Sequence, residues 1–359
     1  MGNKGKLKKI CNMLEYKRPH GSASEHDFIR RFIDVVPGMQ RDSFGNRYIR
    51  LPSRDGTASQ VMWSAHTDTV HRADGKQIVD VDRYGYMTLP TDSGSNCLGA
   101  DDGAGCFILL SMIYAGVPGL YIFHRGEELG GLGSDHIARN TPDLLDGINY
   151  AIAFDRKLYK SVITYQAGYR CCSDMFVKDL ANMLAPSLDF ETDDGGTFTD
   201  TENYTDLVSE CTNISVGYER QHSPLEVLDT SYMFKVADCF INLFDETRLT
   251  AYNVPGDGKY DTLYDRDYHG RWTDGLWSSY GNYSARYTET EQGNKYLAPD
   301  RQDVEDSAQT ELNFAFGVEP LTKLIKSHPA EVAVFLDEHG FSADEIELEI
   351  HMIRQLVEE

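Results

Sequence analysis

Along residues 21–245 the apolar positions fall into two textures: short unbroken runs, and longer stretches with a period near 3.6. "GSASEHDFIRRFIDVV" (21–36) puts Phe28, Ile29, Phe32 and Ile33 at helical spacing, with Ser24 as its predicted N-cap. "DSFGNRYIRL" reads as a turn, supplied by Gly45 and Asn46, leading into a strand. Residues 60–65 form a short apolar run that predicts a buried strand, and "GLYIFHR", "YAIAFD" and "NISVGY" repeat that pattern. Between them, "ADDGAGCFILLSMIYAG" predicts a loop entering an apolar helix that stops at Gly116. "DTSYMFKVADCFINLFDE" predicts a closing helix with Met233, Val236, Ala237 and Phe240 on one face. Apolar strands alternating with helices predict an α/β fold, a mostly parallel central sheet flanked by helices.

Past residue 250 the pattern changes. The stretch 251–320 is rich in Tyr, Gly, Asp and Trp and has no clear period, which suggests an irregular segment that packs on something. Trp272 and Trp277 within it read as surface packing. Residues 321–359 become helical again. Gly340 ends one helix, Ser342 and Glu345 form a capping box for the next, and Ile346, Ile350, Ile353 and Leu356 make an apolar stripe. The predicted organisation is a catalytic domain at 1–250, the aromatic segment at 251–320 and a small C-terminal helical hairpin at 321–359. The hairpin either packs on the main domain or serves as an oligomerisation or tethering element.

Composition narrows the function. The formal net charge of −23 argues against a nucleic-acid partner, because phosphate contacts need Lys and Arg, and against an anionic membrane surface. No run of about eighteen apolar residues predicts a transmembrane helix. The basic start has no apolar core of a secretory signal, and Lys6 stands where a myristoylation motif needs Ser or Thr. Seven Cys without metal-knuckle spacing read as reduced, mostly buried thiols, so the expected location is cytoplasmic.

Polar clusters recur where the predicted strands end, which is where open α/β sheets bind ligands. His66 and Asp68 follow the first strand, Asp101 and Asp102 sit in "GADDGAG", and Glu127 and Glu128 in "RGEELGGLGS". Asp155 ends "YAIAFD", and His222 lies in "QHSPLEVLD". Mixed imidazole and carboxylate donors suit zinc or a similar divalent ion. A two-oxygen Asp can bridge two ions, and Asp68 can accept the second N–H of His66 and fix its tautomer. Of two adjacent Glu, one can coordinate while the other moves a proton. Each motif alone is an ordinary loop; their order and placement together carry the signal. His71 reads as partly exposed, and His124 and His136 match no ligand position.

With "AHTDTVH", "GADDGAG", "EELGGLGS", "AFD" and "QHSPLEVLD" in this order, the chain resembles the co-catalytic di-zinc exopeptidases. That superfamily includes leucyl-type aminopeptidases, tripeptidases, glutamyl aminopeptidases and related amidohydrolases. The resemblance spans about residues 20–245. It implies a metal-dependent hydrolase of peptide bonds, most of all an aminopeptidase, with two Zn2+ (Co or Mn as alternatives) and a peptide or small amide as substrate. It further implies that His66, Asp101 and Asp155 hold one ion, and that Asp101, Glu128 and His222 hold the other. Glu127 would be the general base acting with a two-zinc-activated hydroxide, and Asp68 the His-orienting carboxylate. Only a modest stretch separates Asp155 from His222, so a single catalytic domain without a lid domain is expected. The oxyanion-stabilising group is not evident; Tyr218 is a candidate, against a packing role. The same ligands would serve a carboxypeptidase, a dipeptidase or an amide deacylase. From a different class, a non-catalytic binding protein could retain such a fold, although the ligand set here is intact.

Overall fold

A computed structural model describes residues 3–53 and 56–253. The expectations for the aromatic segment and the C-terminal hairpin therefore lie outside the described residues, as do Trp272 and Trp277.

The central sheet has eight strands: β1 Gln40–Arg41, β2 Arg47–Leu51, β3 Val61–His66, β4 Gly119–His124, β5 Tyr150–Arg156, β6 Ser161–Ile163, β7 Glu191–Asp193 and β8 Glu210–Ser215. Their spatial order is β7-β6-β8-β5-β3-β4-β2-β1. The four middle strands, β8, β5, β3 and β4, are mutually parallel. Antiparallel pairs enter beside them, at β4–β2, β2–β1 and β6–β8. The strands β3, β4 and β5 are apolar runs of the sequence, whereas β8 starts three residues before the expected "NISVGY" and buries Glu210, Thr212, Asn213 and Ser215; every residue of β3, β4 and β8 is buried. A parallel strand covered on both faces has no solvent side, so alternation disappears.

The helices are α1 Asn3–Leu14, α2 Ala23–Phe28, α3 Ala100–Ala115, α4 Leu132–Asn140, α5 Asp174–Leu184 and α6 Thr230–Leu243. The predicted face of α6, with Met233, Val236, Ala237 and Phe240, is buried. Gly116 ends α3 in the left-handed region, at φ 74°, donating back to Ile113 and Met112. A second, four-stranded antiparallel sheet joins Asp80–Val81, Tyr86–Thr88, Val227–Asp229 and Tyr218–Glu219.

Three local expectations are corrected. The cap of α2 is Ser22, whose hydroxyl accepts from Glu25 N at 3.1 Å. Ser24 is occupied elsewhere: it donates to Lys17 O and accepts from Gly75 N, tying together the small ladder of Tyr16–Lys17 and Gly75–Lys76. The helix expected over 21–36 is α2 followed by a π-turn at Ile29–Ile33. His71 is buried rather than partly exposed, between Thr69 and Gln77. The helix α1 had no counterpart in the sequence reading; Ile10, Met13 and Leu14 form its buried stripe among four lysines, and it packs on α3. None of the seven cysteines forms a disulfide, and all but Cys11 are buried.

Below the strand ends lies an aromatic cluster centred on Trp63. Its indole meets Phe154, Phe240 and Phe244 at centroid distances of 5.9, 5.7 and 4.8 Å, and its N–H donates to Pro118 O at 3.0 Å. Trp63 is fully buried, so truncation leaves a large cavity and an unpaired Pro118 carbonyl. Trp63→Ala should lower stability by about 3–5 kcal/mol, read as a shift in the urea midpoint.

Candidate metal centre

All the candidate site residues lie at or just beyond the carboxyl ends of the parallel strands. His66 is the last residue of β3, and Asp155 is the penultimate residue of β5. Asp101 and Asp102 open α3 with non-helical backbone angles (φ −80°, ψ 105° and φ −115°, ψ 49°), so the regular helix follows them. Glu127 and Glu128 follow β4, and His222 lies on the loop between the two halves of the small sheet's Tyr218–Asp229 hairpin, at φ 64°. A left-handed non-glycine residue is strained, and such strain persists only where surrounding contacts enforce it.

These residues converge. Asp101 stands between the two imidazoles, with Oδ1 3.0 Å from His66 Nε2 and Oδ2 3.1 Å from His222 Nε2. Asp155 Oδ1 is 3.6 Å and Glu127 Oε2 3.9 Å from His66 Nε2, while Glu128 Oε2 is 3.2 Å from His222 Nε2. His66, Asp102 and Asp155 form a group in which one donor atom of each lies within 4.8 Å of the others, and so do Asp101, Glu128 and His222. A third group combines His66 with Glu127 and Glu128.

The donor chemistry fits divalent cations. Imidazole nitrogens and carboxylate oxygens face one another at 3.0–3.1 Å, a donor set that suits such an ion. Burial opposes a charge on His222, but hydrogen bonds with Asp101 and Glu128 raise it to about 11. Burial likewise works against ionising Asp101, yet its bonds to His222 and His66 hold it well below the usual carboxylate range. Burial and the Asp101 charge push Glu128 up to about 7. Burial raises Glu127 and Asp155 as well. A divalent ion there would neutralise the same oxygens. Glu128 Oε1 is buried and has no hydrogen-bond partner, which is the mark of a missing ligand bond.

Asp68 does a different job from the one expected. His66 Nδ1 faces the main-chain oxygen of Asp68 at 3.0 Å, and the Asp68 carboxylate is 3.8 Å away. That carboxylate instead accepts from the amides of Gly126, Glu127 and Glu128, at 2.8, 3.2 and 3.3 Å. Seated in a turn of N–H groups, it sets the backbone that presents both Glu side chains. The carbonyl still fixes the His66 tautomer, leaving the Nε2 lone pair towards the carboxylates.

Other anchors had escaped the sequence reading. Glu226, buried, accepts from the amides of Leu98, Gly99 and Asp101 at 2.8–2.9 Å, which fixes the loop that carries Asp101. It lies within the quoted "QHSPLEVLD", but nothing local to it signals this role. The fully buried Arg18 donates to Thr67 O at 2.8 Å and Gly99 O at 2.9 Å, joining the His66 and Asp101 loops. Thr199 Oγ1 and the Tyr218 hydroxyl donate to the Asp155 carboxylate at 2.7 and 3.0 Å. The Tyr218 hydroxyl also bonds Asp155 O, so this residue orients Asp155. Asp102 accepts from His66 N and Gly105 N, and a Cβ on Gly105 would fall 2.4 Å from Asp102 Oδ2 and from Phe154 O. Only glycine fits there. His124 pairs with His66 across the parallel strands, but its ring is buried against Ser64, Tyr204 and Asp200, and His136 lies beside Phe44.

A further triad, His20, Glu25 and Asp68, has donor atoms within 4.8 Å of one another. Arg125 occupies both Glu25 oxygens at 2.9 and 2.7 Å, so this group already holds its cation.

No protein-family model matches the chain, and no curated protein matches it. Its fold is similar to solved structures of peptidases. One is a tripeptidase from Staphylococcus aureus (TM-score 0.56, 13% identity, 68% of this chain and 99% of that one). Another is the aminopeptidase PepT from Bacillus cereus (TM-score 0.53, 12% identity, 67% and 97%). A third is an aminopeptidase from the archaeon Desulfurococcus kamchatkensis (TM-score 0.50, 14% identity, 70% and 98%). The chain therefore has the fold of these peptidases, in keeping with the resemblance carried by its motifs.

Glu226→Ala leaves three buried amides without an acceptor. It should cost about 1–3 kcal/mol of stability for each group left unsatisfied. It should also weaken divalent-ion binding roughly 10–100-fold, measured by competition with a chelating dye.

Proposed function

We propose that this chain is a metal-dependent peptidase, specifically a two-metal aminopeptidase. The observation that carries the reading is Asp101, with one oxygen turned to each of two imidazoles. His66, Asp101 and Asp155 would hold one ion, and Asp101, Glu128 and His222 the other, zinc being the metal the resemblance implies. Bound there, two divalent ions would supply a Lewis acid for the scissile carbonyl and lower the pKa of the attacking water.

The chain's own groups do the rest. Glu127 Oε2, at the cavity and 3.9 Å from His66 Nε2, takes the proton of the attacking water and returns it to the leaving amine nitrogen. Asp68 holds the Glu127 amide, and so the carboxylate's position, without touching substrate. Tyr218 and Thr199 hold Asp155 in orientation. Preference for the amino end of a peptide is supported by the aminopeptidases among the fold's neighbours.

A mixed peptide set digested by the metal-loaded protein and read by mass spectrometry tests the reading. Ladders shortened from the amino end, abolished by chelator, are the expected result. Shortening from the carboxyl end, or cleavage of acylated amino acids alone, would replace aminopeptidase by carboxypeptidase or deacylase. Absence of any cleavage with both ions bound would overturn the peptidase reading. Glu127→Gln should keep its metal content by elemental analysis while turnover falls about 10²–10⁴-fold. Asp101→Ala should lose both ions, and a variant that still binds two would refute the bridging role.

A further inference from the structure

Residues 220–225 differ from the rest of the candidate centre in how they are held. They form the loop of the hairpin that pairs Tyr218 with Leu228 and Glu219 with Val227. Buried groups fix both of its ends. The Tyr218 hydroxyl is bonded to Asp155, and the Glu226 carboxylate to the amides of Leu98, Gly99 and Asp101. Between those anchors no residue is buried. Ser223 serves the loop itself, its hydroxyl donating to Arg220 O at 2.7 Å and accepting from Leu225 N at 3.3 Å. Among the described residues, 220–225 reaches another loop by a polar contact only through His222. Its Nε2 lies 3.1 Å from Asp101 Oδ2 and 3.2 Å from Glu128 Oε2.

That single tie works against the backbone. Arg220 and His222 both lie in the left-handed region, at φ 54° and 64°. A residue with a Cβ is strained there, and the conformation persists only while contacts enforce it. The two imidazoles also differ in exposure. The His66 side chain, at the end of a buried strand, is 1% exposed, and that of His222 is 48% exposed. The strand places His66, whereas His222 is placed by what it binds. The same loop contributes Gln221 and His222 to the wall of the cavity of about 100 Å3 beside the donor cluster.

We propose that 220–225 is a strap forming a movable wall of the cavity, with His222 as its latch. Closed, the strap completes the donor set and the cavity together. Released, it relaxes the two left-handed residues and withdraws Gln221 from the wall. Tyr218 and Glu226 stay anchored, so the change in backbone angles falls on the few residues between them. An ion held by Asp101, Glu128 and His222 would tighten the latch, so that metal occupancy decides whether the cavity is whole. This coupling rests on the two-metal reading given above; the latch itself does not.

Limited trypsin digestion of the full chain tests the strap, because Arg220 puts a cleavable bond inside it and cleavage follows the population of the opened segment. The readout is the rate of cleavage after Arg220 divided by that after Arg83, which lies in another exposed turn and cancels any effect of zinc on the protease. Wild type and His222→Ala are compared in chelator and with zinc. In wild type, zinc should lower the ratio about tenfold; in His222→Ala the ratio should stand about tenfold above that of chelated wild type and not respond to zinc. Equal ratios for His222→Ala and chelated wild type overturn the proposal, since the strap is then held by its own turn. A wild-type ratio unchanged by zinc, with the ions shown bound by elemental analysis, overturns it as well. Should His222→Ala not fold, His222→Gln makes the same comparison. If no zinc binds, the two-metal reading fails by itself, and the two proteins in chelator still decide the latch. Faster cleavage after Arg220 in His222→Ala upholds it, and equal cleavage refutes it.

Discussion

Asp101, Asp102, Glu127, Glu128 and Asp155 bring five carboxylates around two imidazoles at the end of one sheet, and like charges so close in a low-dielectric setting repel strongly. Burial raises Glu127, Glu128 and Asp155 above the usual carboxylate range, and against burial the hydrogen bonds of His66 and His222 to their carboxylate partners raise both imidazoles. Divalent cations would relieve the same repulsion. The site is thus built against its own electrostatics, and the surrounding fold has to supply the force that holds it together.

That force comes largely from main-chain amides. Asp68 gathers the N–H groups of 126–128, and Glu226 gathers those of Leu98, Gly99 and Asp101. Each buried carboxylate is satisfied by the loop it shapes, and each loop presents candidate ligands. Arg18 stitches two of these loops through their carbonyls and stacks on Phe28, its guanidinium carbon 4.5 Å from the ring centroid. Below them, the parallel strands and the Trp63 cluster form a densely packed floor that resists small displacements. Donors placed by rigid strand ends and braced loops need little reorganisation on meeting an ion or a substrate.

Most of the central strands, the closing helix and the cluster of candidate residues at one sheet edge were legible in the sequence for local reasons. Unbroken apolar runs mark buried parallel strands, glycine in the left-handed region marks the end of α3, and His, Asp and Glu directly after such runs must lie along one sheet edge. Local pattern therefore determined the fold class and brought His66, Asp101, Glu127, Glu128, Asp155 and His222 to a common neighbourhood. It did not determine which atom meets which. Asp68 meets Gly126 across 58 positions and Glu226 meets Leu98 across 128, and no period or motif encodes such partners. The amide-gathering role of Asp68, the burial of His71 and the bond from Tyr218 to Asp155 were decided by tertiary structure alone. A hydrogen bond depends on position and direction to within a few tenths of an ångström, and only the packing of distant segments fixes both.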